Sequence, residues 1–112
     1  MATYTPKRLA GPAQVGASDA DVYTVGTGKT GIVKQIVFNN TTSSAVTVTA
    51  NLKVTAGTSI AASNAFITAL SIAPNSQVIW SADIPLAAGE VISLKASTGT
   101  AVTYLISGIE IA

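Results

Sequence analysis

The sequence predicts an all-β protein: a single antiparallel β-sandwich of about 7–8 strands preceded by an extended N-terminal arm. Three observations carry that expectation. Apolar residues alternate with Thr, Asn and Lys through 45–55, the period a strand with one buried face requires. Clusters of Gly, Pro, Asn and Ser interrupt the chain at the spacing of sandwiches and barrels. At 112 residues, the chain has material for one core and not for two.

Residues 1–18, MATYTPKRLAGPAQVGAS, hold two prolines, two glycines and no sustained period of 2 or 3.6. They are set apart as an arm, with 19–112 as the β-sandwich domain. Such a leader is either a frayed end or a segment lying extended across a neighbouring subunit, with Leu9 and Val15 as apolar contacts and Lys7 and Arg8 as charged ones. On this division, a chain lacking 1–18 stays folded and loses stable incorporation into an assembly.

From Ala20 the expected strands are 20–25, 31–39, 45–55, 66–73, 76–82, 90–97 and 101–111. The stretch 31–39 is apolar on both faces, with Ile32, Ile36 and Phe38 on one and Val33 and Val37 on the other, which marks a central strand. In 45–55, Val46, Val48, Ala50, Leu52 and Val54 share the inner face, and Thr47, Thr49, Asn51 and Lys53 the outer one. Asn39–Ser44 reads as a polar loop, and Ala73-Pro74-Asn75-Ser76 and Ala87-Ala88-Gly89-Glu90 as turns. The segment 57–65 would tolerate one helical turn and is assigned to a loop carrying the chain between sheets. Lys34, Lys53 and Lys95 fall on polar strand faces, where charge discourages edge pairing. The whole pattern is jelly-roll-like.

Only 10% of the residues are charged and the mean hydropathy is +0.51, whereas a solitary soluble domain covers itself with mixed charge. Subunits whose flanks are buried by neighbours do not need that cover, although a surface of Thr, Ser and Asn also stays wet without it. A net charge of +1 with one adjacent basic pair, Lys7-Arg8, argues against nucleic acid as a partner. Apolar runs are too short to span a bilayer and the N-terminus lacks the apolar core of a signal peptide, so no membrane partner is expected.

The chemistry-bearing residue types are sparse. With no Cys and no His, disulfides, thiolate sites, the usual zinc ligands and the Ser-His-Asp arrangement are excluded. Gly26-Thr27-Gly28-Lys29-Thr30 ends like a phosphate loop, yet Tyr23 stands where the motif needs its first glycine and a strand follows where it needs a helix; it reads as a hairpin turn. Asp19 and Asp21 lack the glycine bend and distal Glu of a calcium loop, and Asp83 and Glu90 could flank one hairpin without forming a cleft. No catalytic, cofactor or metal site is expected, and the protein is read as a non-enzyme. Most aromatics sit among aliphatics as core, with Trp80 the first to examine as a contact residue.

The order of segments carries a resemblance. Tyr23-Thr24-Val25, Gly28-Lys29-Thr30, Ile32-Val33-Lys34-Gln35-Ile36 and Asn39-Asn40, then the Val/Thr strand from Ala45 to Ala50, resemble the opening of small bacteriophage virion structural proteins. Ala73–Ser76, Leu86–Glu90 with Ile92, and Ser107–Glu110 extend the likeness over roughly 22–112, while Gly26-Thr27 departs from the Pro-Ala common in that family. The resemblance implies a head decoration or cementing protein acting through protein–protein contacts. A tail-associated structural protein or a glycan-binding host-adhesion module is the alternative. Expected partners are other virion proteins, such as the major capsid or a tail protein, and further copies of the chain in a homo-oligomer; the expected place is the virion, assembled in the host cytoplasm.

Overall fold

The computed structural model describes residues 3–55 and 60–112. Eight strands, β1 (Tyr4–Gln14), β2 (Ala20–Thr24), β3 (Thr30–Asn40), β4 (Val46–Lys53), β5 (Ala65–Ile72), β6 (Gln77–Leu86), β7 (Val91–Ala96) and β8 (Val102–Ile111), form two four-stranded antiparallel sheets ordered β1-β8-β3-β6 and β2-β7-β4-β5. This is jelly-roll topology. The seven strands expected from Ala20 onward are present, each displaced by only a few residues. In the segment read as a loop, Ala62–Asn64 instead make one 3-10 turn, closed by the Asn64 amide donating to the Ala61 carbonyl at 3.2 Å; 57–59 lie outside the described residues.

The leader is where expectation and structure part. Tyr4–Gln14 are β1, paired antiparallel with β8 from Tyr4 opposite Ile111 to Gln14 opposite Thr103, and Val15 is 1% exposed inside the core. No boundary between arm and domain falls at residue 18. The irregular sequence has a physical reason: β1 is an outermost strand, where Pro6 and Pro12 can turn their missing N–H groups away from the ladder. Two register shifts, around Leu9 and around Gly11-Pro12, erase the alternation that would have announced a strand.

A further bulge reorders β3. Its register against both neighbours shifts between Val33 and Gln35, so Val33 joins Ile36 and Phe38 in the core while Ile32 and Val37 are half-buried. The simple alternation had placed Ile32 inside and Val33 out. At the same level Gly108 of β8 lies against the Ile32 carbonyl, where a Cβ would collide with backbone. The expected central position of β3, between β8 and β6, is correct.

Every connection except β4 to β5 crosses from one sheet to the other. The Gly26–Lys29 turn is therefore not a hairpin: Lys29 N–H donates to the Gly26 carbonyl at 3.2 Å, but the strands it joins belong to opposite sheets. Buried Asn40 anchors the polar loop after β3. Its Nδ2 donates to the Ser44 and Ile72 carbonyls, and its Oδ1 accepts from the Thr42 amide and hydroxyl. The inner faces meet in one core that includes Val33, Ile36, Phe38, Val48, Ile72, Ile92, Leu94 and Ile106.

Two predictions follow from the core and the edge. Val48→Asp puts an unpaired carboxylate at a 0% exposed position and is expected to cost about 4 kcal/mol or more, enough to unfold the chain. Thr49→Asp, which keeps an acceptor for the Ala69 amide on the outer face, is expected to fold; thermal melts followed by circular dichroism distinguish the two. Deleting residues 1–18 removes β1, uncovers the β8 edge and empties the Val15 site, so the truncated chain should lose its cooperative melt. A truncated chain that melts like the full one would restore the arm as a separate segment.

Candidate interaction surfaces

The residues expected to contact neighbours are mostly engaged within the chain. Val15 is core and its amide donates to the Val102 carbonyl at 2.8 Å; Leu9 is half-buried against the same core. Lys7 donates to Glu110 at 3.0 Å across β1 and β8, and Arg8 is exposed. Trp80 on β6 is half-buried and meets Phe66 on β5 in a tilted ring contact, centroids 5.4 Å apart, where the last strands of the two sheets face each other.

Glu110 gathers the charge at one end of the sandwich. Besides Lys7, Lys29 lies 3.8 Å from Oε1, and the Tyr23 hydroxyl donates to Oε2 at 3.0 Å. Tyr23 belongs to β2 and Glu110 to β8, so this hydrogen bond ties the two sheets. Gly31 makes room for it, since a Cβ there would stand 2.9 Å from the Tyr23 hydroxyl. The hydrogen bond from Lys7 holds the Glu110 carboxyl below the usual range against an opposing push from burial; Tyr23 and the charges of Lys7 and Lys29 add to the lowering. Burial first, and then the Glu110 carboxylate, push the Tyr23 phenol up to about 12. Lys29, the lysine of the apparent phosphate loop, thus points to a carboxylate, and the loop leads into β3 instead of a helix.

The outer face of the β2-β7-β4-β5 sheet holds what the sequence concealed. Lys53 is 3% exposed, with Nζ donating to Asp19 at 2.6 Å and to Asp21 at 3.0 Å, and these bonds, Asp19 first, raise its pKa against the opposing effect of burial. The two aspartates that hinted at a calcium loop therefore surround an ammonium group. Neither Lys34, Lys53 nor Lys95 lies on an edge strand, so the expected guard role against edge pairing is not theirs. Lys34 instead pairs with Asp83 at 2.6 Å. Beside Lys53, Asn51 and Ser93 are cross-strand neighbours at 2% and 0% exposure, and Asn51 Nδ2 donates to Asn64 Oδ1 at 2.7 Å. A cleft of about 270 Å³ follows, lined by Thr49, Asn51, Ile60, Ala61, Ala65 and Thr68, with a smaller one of about 190 Å³ toward Lys95 and Ser97. Among the described residues no group of three or more His, Cys, Asp or Glu could hold a metal ion, and no helix is long and apolar enough to cross a membrane.

The fold has solved counterparts. A chain from Bacillus endospore appendages, described as a family of disulfide-linked pili, superposes with a TM-score of 0.57 at 13% identity, over 98% of this chain and 88% of that one. A chain of infectious bursal disease virus, Gx strain, gives 0.50 at 13% identity, covering 99% of this chain and 32% of that chain, so the present fold corresponds to about a third of the viral polypeptide. No protein family and no curated protein matches the sequence. These similarities establish a shared all-β sandwich fold.

The two charge clusters make opposite predictions. Replacing Asp19 and Asp21 together by Asn leaves buried Lys53 without a counter-charge and should cost about 3–5 kcal/mol. Lys53→Met should cost less, because side chains 25% and 34% exposed can be solvated by water when the lysine is gone. Urea titrations of both variants give the comparison. For Glu110 the folded pKa lies below the unfolded one, so its stabilisation is present above the ordinary carboxylate range and is lost as pH falls through the folded value. Glu110→Gln should therefore destabilise by ~1 kcal/mol at neutral pH, with the difference from wild type closing in acid. Phenolate absorbance should show a phase at about pH 12 that Tyr23→Phe removes.

Proposed function

We propose that this chain is a virion structural protein of a bacteriophage, a head decoration or cementing protein that reinforces the particle through packing contacts and has no enzymatic activity. The observation that carries the reading is a jelly roll with few charges that pairs most of them internally. Lys7 and Lys29 pair with Glu110, Lys34 with Asp83, and Lys53 with Asp19 and Asp21. Much of the outward surface is Thr, Ser and Ala, with Tyr4, Val54 and Ile79 exposed among them, a surface suited to being covered by neighbours. The segment order from Tyr23 to Glu110, which resembles small phage structural proteins, supports the same reading. The fold supports it too, being shared with chains of a pilus and a virus.

Immunogold labelling of purified particles tests it, with label on the head expected. Label on the tail would favour the tail-associated reading. Within that reading, glycan adhesion draws on the two neighbouring clefts that share Thr49, one with Thr68 and the other with Thr47, Ser97 and Lys95. Among the described residues no aromatic ring lines either cleft to stack on a sugar, which is why packing is preferred. Particles without label, together with specific retention on a glycan array, would replace the structural role by adhesion.

A further inference from the structure

We propose that the outer edge of β6, from Gln77 to Ser81, pairs antiparallel with the same edge of a second copy of this chain, about a two-fold axis through Ile79. The inference does not rest on the virion reading and would hold for any setting in which the chain works.

Two four-stranded sheets present four edges: β1 and β6 on one, β2 and β5 on the other. An unpaired edge offers a row of N–H and C=O groups to any passing strand, and proteins that remain single blunt it with charge, proline, bulges or brevity. Three of the four edges are blunted. β1 carries Pro6, Lys7, Arg8 and Pro12 and two register shifts. β2 bears Asp21, and its register against β7 shifts between Asp21 and Tyr23. β5 is interrupted where Ala69 adopts a φ of 48° and the register against β4 slips.

β6 differs. Its charge and proline, Asp83 and Pro85, and its register shift all lie in its second half. From Gln77 to Ser81 it is regular, pairing residue by residue with Asn39 to Gln35 of β3, and contains no charge and no proline. Among the described residues, the backbone of this stretch bonds to β3 alone. Ile79 stands 53% exposed at its centre, and Val78 and Trp80 are half-buried on the other face.

The occupant follows from the same inventory. Against β1, β2 or β5 of a second copy, the stretch would meet proline, charge or a kink. Against β6 it meets itself. Antiparallel pairing centred on Ile79 sets Ile79 opposite Ile79, Val78 opposite Trp80 and Gln77 opposite Ser81. Apolar side chains thus face apolar ones, and polar face polar. No like charges are opposed, since the nearest acid, Asp83, falls opposite Asn75. The interface is isologous and closes at two copies, joining the two β1-β8-β3-β6 sheets into one of eight strands.

Three measurements on the full chain test this. Sedimentation of the wild-type protein at ~100 µM, where a small strand-pairing interface associates, should give a dimer that dissociates on dilution with a red shift of emission from Trp80, the chain's single tryptophan. Ile79→Lys should sediment as a monomer with an unchanged circular dichroism spectrum. In Ile79→Cys, the only thiol of each copy would lie across the axis at a Cα separation of about 4.5–5.5 Å, within disulfide reach, so mild oxidation should give a covalent dimer. Val54→Cys, exposed at 72% and remote from the axis, should oxidise at least tenfold more slowly. A wild-type monomer with equal oxidation of the two cysteine variants would overturn the proposal, as would a dimer that survives Ile79→Lys in a folded protein. Should Ile79→Lys misfold, the ratio of the oxidation rates decides alone. An edge that ignores its own kind but becomes protected from hydrogen exchange on an assembled particle would belong to a different partner, and the two-fold pairing would be wrong.

Discussion

The structure depends on one topological constraint: apart from β4 and β5, no strand pairs with its neighbour in sequence. Each connection instead carries the chain across the sandwich. Short turns that would close hairpins elsewhere serve here as corners, and every ladder but one joins segments distant in sequence. The two ends of the chain illustrate the consequence most sharply, since β1 finds its partner in β8. Thr3 and Ala112 exchange backbone hydrogen bonds of 2.8 and 2.9 Å beyond the ends of that ladder. Neither strand can be removed without opening the sheet, and the core under it, to water.

That constraint also organises the charges. In a chain with so few, each ion pair joins segments that the sequence separates widely. Glu110 of β8 collects Lys7 from β1, Lys29 from the β2–β3 corner and a hydroxyl from β2, so one carboxylate links both sheets and a crossing. Lys53 at the end of β4 draws in Asp19 and Asp21 from the approach to β2 and from β2 itself, across the β7 strand that separates β4 from β2. A buried lysine requires such partners, because the desolvation of its ammonium is otherwise uncompensated. The price is a surface on which most of the charges are already paired.

How much of this was legible in the sequence follows from the range of each signal. Alternation in 45–55 and the apolar run in 31–39 are local patterns, and they located β4 and the central β3, but β4 ends at Lys53 and Val54, read as inward, is 72% exposed beyond it. A bulge inverts alternation without leaving a local trace, so Val33 and Ile32 exchanged sides. In β1 two prolines and two register shifts obscured the period altogether, and Val15 passed for an interaction residue when it is core. The Lys53 cluster had no local signature, because its partners lie 34 and 32 residues upstream. Asn40 was visible only as part of a polar loop; that it is buried and fully hydrogen-bonded depends on Ile72, which the fold brings to it. Trp80 was singled out for its residue type, and its position beside an unblunted edge emerged only from the strand order.

The absence of cysteine sets this chain apart from one of its structural counterparts. The endospore-appendage chain that shares the fold is described as belonging to disulfide-linked pili. This sequence contains no thiol with which to form such a link. Contacts between copies of this sequence would draw on surface packing, hydrogen bonds and the exposed Arg8 and Lys95, since Lys7, Lys29, Lys34 and Lys53 already pair within the chain. Backbone groups at a sheet edge are further directional donors and acceptors on the outside. Their distribution is uneven: the edges of β1, β2 and β5 are blunted by proline, charge, a register shift or a kink, while the first half of β6 is not. A protein that had to remain solitary would gain from one charged residue at position 79, at almost no cost to its core, and the chain carries isoleucine there.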